Sequence, residues 1–463
     1  MTRRRFGKVL FVNGSLGSGG TCGLPPAVTP SPGDVLGETR LNHVARSDAL
    51  AGAGMKYFVT RPGLGFLALV GAASVVSSCG EIVQPPRPIA PEQRPLLNLA
   101  TSQSLLARFV SLGTSNSQGV QSAGVAAAGQ RAAWPAQLAQ RAGVPYDIPL
   151  IQIPGCNPPL IPPLAANLVL IGAFGDDLVS AIMTTCAPLE PGIALPASNL
   201  AISGAKARDA LHSTIESEAL VSARKAELYA RVLLPGQTQV TAMVAKQPTF
   251  VSVELAANEV LPASTGRVAA MTPFTEWRAT YDAILNAVKG TGAGAVLVGL
   301  PNNAANFPSI RRAREFYNQW PYLLALGISV SSKCYLSSNY LFIPGYLLTL
   351  LSRTPTTATC ADVPDAADYV LTPSDITAIN SQMAAMNAHI QTRANENGWA
   401  YFSLSALYDL PKPAFKVVDV LFSSAPFGPN ISLDGVHPSA AGQAILATAA
   451  AQAINAKYGL AIP

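Results

Sequence analysis

From residue 105 onward, short apolar runs alternate with longer amphipathic stretches, and no other feature narrows the fold so far. That alternation is the mark of a parallel sheet covered by helices. The expected strands are Arg108–Leu112, Ala197–Ile202, Thr249–Leu255, Ala295–Leu300 and Ala400–Leu404. The expected helices cover roughly 208–232, 275–289, 373–396 and 439–456. Thr372-Pro373-Ser374-Asp375 makes a good helix start, and Gly290 and Gly398 make good stops. The fold class is α/β, with about five parallel strands flanked by helices. No internal repeat is visible.

Two segments break the alternation, 135–192 and 312–371. Both are expected to be insertions over the C-terminal edge of the sheet, where such folds bind ligands. The first is rich in Pro and carries Cys156 and Cys186. The second carries Cys334, Cys360 and the apolar run Tyr340–Leu348. That run is too short and too broken by Pro344 and Gly345 to span a membrane. It could wall an acyl pocket, touch a bilayer or pack as a satellite core. Four cysteines allow three pairings, and Cys156–Cys186 with Cys334–Cys360 is preferred because each pair closes one insertion. Metal binding by these cysteines lacks both a Cys-x-x-Cys spacing and a nearby His cluster.

The N-terminal part reads as processing and tether. Residues 55–78 show a positive start (Lys56, Arg61), an apolar run Leu64–Ala73 and a small-residue site at Val76-Ser77-Ser78. Cys79 follows directly and resembles the lipidated Cys of a bacterial lipobox. The alternative is an ordinary secretory signal with an incidental Cys. Residues 79–98 are Pro-rich and read as an extended tether. Residues 1–54 carry no periodic pattern and read as a doubtful extension upstream of Met55, or as a disordered arm. The expected location is the bacterial cell envelope, lipid-anchored at Cys79, with a periplasmic or secreted soluble protein as the alternative. The folded body is then 99–463, with the insertions at 135–192 and 312–371.

The net charge of +5 misleads. Residues 1–78 hold eight Lys/Arg against three Asp/Glu, which leaves 23 of each in residues 79–463. A balanced body has no basic footprint for nucleic acid.

The chemistry lies at the ends of the expected strands. Gly113-Thr114-Ser115-Asn116-Ser117 follows the first, and Asn199–Ala205 ends the second at Gly204. Ala256-Ala257-Asn258-Glu259 follows the third. Ser432-Leu433-Asp434-Gly435-Val436-His437-Pro438 precedes the last helix. A serine hydroxyl needs a base to remove its proton, and the base needs a carboxylate to hold its tautomer. His437 is the one histidine of four with an Asp on a Gly/Pro-bounded turn beside it. Gly204 lets a backbone N–H approach a ligand, and an Asn amide can donate to an oxyanion. Gly113–Ser117 is not a Gly-x-Ser-x-Gly elbow, and Gly290–Gly294 precedes a strand, unlike a phosphate loop.

Taken in that order, the four blocks resemble those of the SGNH (GDSL) hydrolases, a family of esterases and lipases, over roughly residues 105–458. The resemblance implies a flavodoxin-like doubly wound sheet. It implies Ser115 as nucleophile, His437 as general base and Asp434 as the group orienting it. Ser115 N–H, Gly204 N–H and the Asn258 side chain would form the oxyanion hole. Two positions depart from the family pattern. Thr114 stands where Asp is usual, and Glu259 stands where a second Asp is usual, with an extra carbon that could shift Asn258. The implied activity is carboxylic ester hydrolysis on acyl lipids or small esters, with no metal or cofactor. Carbohydrate O-acetyl ester hydrolysis is the alternative within enzymes. A surface lipoprotein that kept the fold without catalysis is the alternative of another class.

Overall fold

Four short runs of valine, leucine, phenylalanine and alanine pair side by side as the central sheet of the computed structural model, which describes residues 101–165 and 186–463. They are β1 (Phe109–Leu112), β2 (Phe250–Val253), β3 (Gly294–Gly299) and β9 (Ala400–Ser403), all parallel, in the order β1-β2-β3-β9. The expectations placed on residues 1–54, 55–78 and 79–98, and on Cys79 as a lipid site, lie outside the described residues.

The fifth expected strand, Ala197–Ile202, runs along the free edge of β1. Ser111 N–H donates to Ser198 O at 3.0 Å, and Leu200 and Ile202 N–H donate back to Ser111 O and Gly113 O at 2.9 and 3.1 Å. It forms one parallel bridge, Ser111 with Asn199, rather than a full ladder. Between these bonds the Ala201 N–H, which faces away from β1, is taken by Asn199 Oδ1 at 3.1 Å. Counting this segment, the strands lie in the spatial order second, first, third, fourth, fifth. That is the flavodoxin-like winding, whose reversal falls between the first strand and the third.

Successive residues of a strand face opposite sides, and here both sides are buried. On one side Phe109, Phe250, Val296 and Phe402 meet α2 (Trp134–Ala142) and α8 (Ala440–Tyr458). On the other, Val110, Leu112, Val251, Val253 and Leu297 meet α5 (Phe274–Gly290) and α7 (Pro373–Asn397). The start of α7 is held by a reciprocal cap. Thr372 Oγ1 accepts from Asp375 N–H at 3.2 Å, and Asp375 Oδ2 accepts from Thr372 N–H at 2.8 Å. Gly398, at φ 70°, ends it.

Two expectations change. The helix expected over 208–232 is three shorter ones, α3 (Ala207–His212), then Ile215–Ala219 and Ala223–Ala230. Thr214 and Ser222 each turn a side-chain oxygen onto a following backbone N–H, starting a new helix where one was expected to continue. The segment from residue 135 also opens on α2, which packs on α8 as part of the helical layer.

Residues 310–371 add short strands away from the main sheet. These are β4 (Ile310–Arg312), β6 (Tyr340–Phe342) and β8 (Val370–Leu371) in one antiparallel group, and β5 (Ile328–Val330) with β7 (Thr356–Ala358) as a separate parallel pair. The apolar run becomes β6 followed by α6 (Ile343–Leu351), whose Ile343, Tyr346, Leu347 and Leu350 are buried in the core. Both expected disulfides are present, Cys156–Cys186 and Cys334–Cys360. Among the described residues no helix is long and apolar enough to cross a membrane.

Candidate active site

Leu112 ends β1, and the chain turns at Gly113 into α1 (Ser115–Gln118). A side chain at 113 would lie 2.7 Å from both Cβ and Oγ of Ser117, so the turn admits only glycine without rearrangement. β2 leads through Glu254 and Leu255 into α4 (Ala257–Val260), which carries Asn258. These two strand ends flank the reversal of strand order, where a crevice is expected. Ser115, Asn258 and His437 all line one cleft there, with about 750 Å³ of empty space including its open mouth.

The Asp434–His437 turn is closed on itself. Asp434 Oδ2 is 2.8 Å from His437 Nδ1, while Oδ1 accepts the backbone N–H of Val436 and of His437 at 2.9 and 2.8 Å. Oδ2 also takes the Ala123 N–H from the segment after α1. Ser432 Oγ donates to His437 O at 3.0 Å, and Tyr408 OH donates to Val436 O at 2.6 Å. Burial alone would raise the Asp434 carboxyl. The charge of His437 and these hydrogen bonds outweigh it and hold the group at about 2. Asp434 is therefore an anion across the ordinary range, placed on Nδ1, which leaves Nε2 as the basic nitrogen.

Ser115 is almost buried, at 6% exposure. Among the described residues no hydrogen bond joins its Oγ to the His437 ring, although both groups line the same cleft. Such bonds are often long until substrate is bound. Asn258 Nδ2 donates one hydrogen to Ala205 O at 2.8 Å, and an amide nitrogen has a second to give. Glu259 does not crowd it. Its Oε1 accepts the Ala207 N–H at 2.7 Å, and the side chain lines a separate pocket with Lys206 and Thr272. Burial pushes its carboxyl up to about 7. Asn258 and Glu259 thus hold the same loop, residues 204–207, from one helix. Gly204 itself is exposed, at φ 77°, and is not among the residues lining the cleft.

Beyond these residues the cleft wall is mostly apolar. Leu261, Leu300, Phe307, Leu371, Ile379 and Met383 line it. Of the run Tyr340–Leu348, only Phe342 reaches the cleft; the rest lies in the core or elsewhere. Glu254 escaped notice in the sequence. Its one signal is a carboxylate inside an otherwise apolar strand, and the structure buries it beneath the turn that carries Ser115. Among the described residues no group of three or more His, Cys, Asp or Glu is arranged to hold a metal.

The chain is similar to solved structures that share little of its sequence. Axe2, an acetylxylan esterase from Geobacillus stearothermophilus, shares 13% identity at a TM-score of 0.29, covering 75% of this chain and 93% of its own. TesA shares 12% identity at a TM-score of 0.30, covering 75% of this chain and 98% of its own. No family model and no curated protein matches the sequence.

Proposed function

We propose that this chain is a serine-dependent carboxylic ester hydrolase of the SGNH type, working through an acyl-enzyme on Ser115. The observation that carries the reading is the meeting of Ser115, Asn258 and an Asp434-bound His437 in one apolar cleft. His437 Nε2 takes the Ser115 proton as Oγ attacks the ester carbonyl. The oxyanion gathers against Ser115 N–H and the free hydrogen of Asn258 Nδ2, while Gly204, exposed and outside the cleft lining, is left out of the hole. The protonated imidazole then gives its proton to the leaving alcohol. Water, deprotonated by the same nitrogen, opens the acyl-enzyme and releases the acid. Replacing Asn258 by Ala should lower kcat about 100- to 1000-fold. A loss under about threefold in steady-state assays would remove Asn258 from the hole.

The apolar wall favours an extended acyl chain over an acetyl group on a sugar. Each buried methylene contributes about 0.8 kcal/mol, so kcat/KM on p-nitrophenyl esters should rise about fourfold per carbon until the cleft fills. Met383→Trp should shorten the preferred chain while sparing the acetyl ester. A flat profile from acetyl to decanoyl in both proteins would defeat the acyl-cleft reading. Export and lipid attachment at Cys79 complete the proposal, supported by the Lys56/Arg61 start and the apolar run before Ser78.

A further inference from the structure

Glu254 is only 2% exposed, and among the described residues no cation pairs with it. A carboxylate in that position costs the fold dearly unless hydrogen bonds compensate. Four donors do, and all come from the turn around Ser115. Oε2 accepts from Thr114 N–H at 3.0 Å, Ser117 N–H at 3.3 Å and Ser117 Oγ at 3.1 Å, and Oε1 accepts from Thr114 Oγ1 at 2.8 Å. The Glu254 backbone is itself pinned to β1, its N–H donating to Leu112 O at 3.0 Å.

The first N–H groups of a helix have no acceptor within it. Here Glu254 takes those on either side of Ser115. Ser115 N–H itself makes no hydrogen bond among the described residues, so it stays available to the cleft. We infer that Glu254 is the positioning residue of the nucleophile turn: a carboxylate supplied by β2 that grips Thr114 and Ser117 and so aims Ser115. The inference rests on reading Ser115 as the nucleophile. It also accounts for Thr114. An Asp at 114 would set a second buried carboxylate within hydrogen-bond distance of Glu254, whereas a hydroxyl donates to it.

The test is a reversal of sign between two backgrounds. In steady-state assays on p-nitrophenyl butyrate, Glu254→Ala should lower kcat about a hundredfold, the scale of an ångström of misplacement, with KM changed less than about threefold. Thr114→Asp alone should lower kcat at least about tenfold, through like charges in one buried site. The double change Thr114→Asp/Glu254→Ala should turn over at least about tenfold faster than Glu254→Ala. A side chain that served only to fill space would not convert a harmful substitution into a rescuing one. Equal harm from Thr114→Asp in both backgrounds, or parent-like kcat in Glu254→Ala, would overturn the inference. Should Glu254→Ala not fold, Thr114→Asp/Glu254→Gln takes its place: recovery over Thr114→Asp supports the inference and no recovery overturns it. Ser115→Ala, run alongside, separates the two levels. If it keeps parent turnover, the reading of Ser115 fails; if it is inactive and the reversal is absent, only Glu254 loses its role.

Discussion

Ser115→Ala should remove ester hydrolysis almost completely, by a factor on the order of 10⁶ in kcat, while the melting temperature stays within a degree or two of the parent. The size follows from the chemistry: without Oγ no acyl-enzyme forms, and the cleft can only orient water. The unchanged fold follows from the structure. Ser115 Oγ makes no hydrogen bond among the described residues, and the turn is held through Thr114 and Ser117 rather than through Ser115. Initial rates on a short p-nitrophenyl ester test the first part. Fluorophosphonate capture followed by mass spectrometry tests whether the modified atom lies at residue 115. Turnover within tenfold of the parent, in a protein that melts normally, would end the assignment.

Asp434→Asn should come next, at about 10⁴-fold in kcat. The carboxylate accepts on both oxygens, from His437 Nδ1 and Ala123 N–H on Oδ2 and from the Val436 and His437 N–H groups on Oδ1. An amide has one oxygen and can serve only one of these two positions. Its NH₂ group then faces a donor, or forces the imidazole into the tautomer whose Nε2 carries the hydrogen and cannot accept the serine proton. The native carboxyl at about 2 lies below its usual value, so its ionised contacts contribute stability above about pH 4 and lose it as the pH falls toward 2. An activity decline well above pH 4 therefore does not come from Asp434. A kcat for the Asn variant within tenfold of the parent at neutral pH would contradict this account.

The strands of the main sheet are visible in the sequence because a strand buried on both faces must be largely apolar, and runs such as Phe250–Val253 and Ala295–Val298 stand out against their neighbours; the buried Ser252 is tolerated because its Oγ donates to Ser111 Oγ on β1. The Asp434–His437 turn is visible because its geometry is local: Gly435, at φ 73°, and the two backbone N–H groups bonded to Oδ1 all lie within four residues. What is hidden depends on distance along the chain. β4, β6 and β8 are two or three residues long and exist because they pair with one another. Ala197–Ile202 reads as a full strand, but only Ser111 with Asn199 forms a bridge along the edge of β1. Glu254 reads as an odd residue in a strand until a turn 140 residues earlier is folded against it.

All four strands of the central sheet precede residue 404, yet Asp434 and His437 come thirty residues later, and the Asp434 carboxylate is completed by Ala123, 311 residues before it. Under the mechanism proposed above, ribosomal synthesis makes the alcohol at 115 long before the imidazole meant to deprotonate it. A partial chain lacking the last segment would then be chemically silent toward the esters around it.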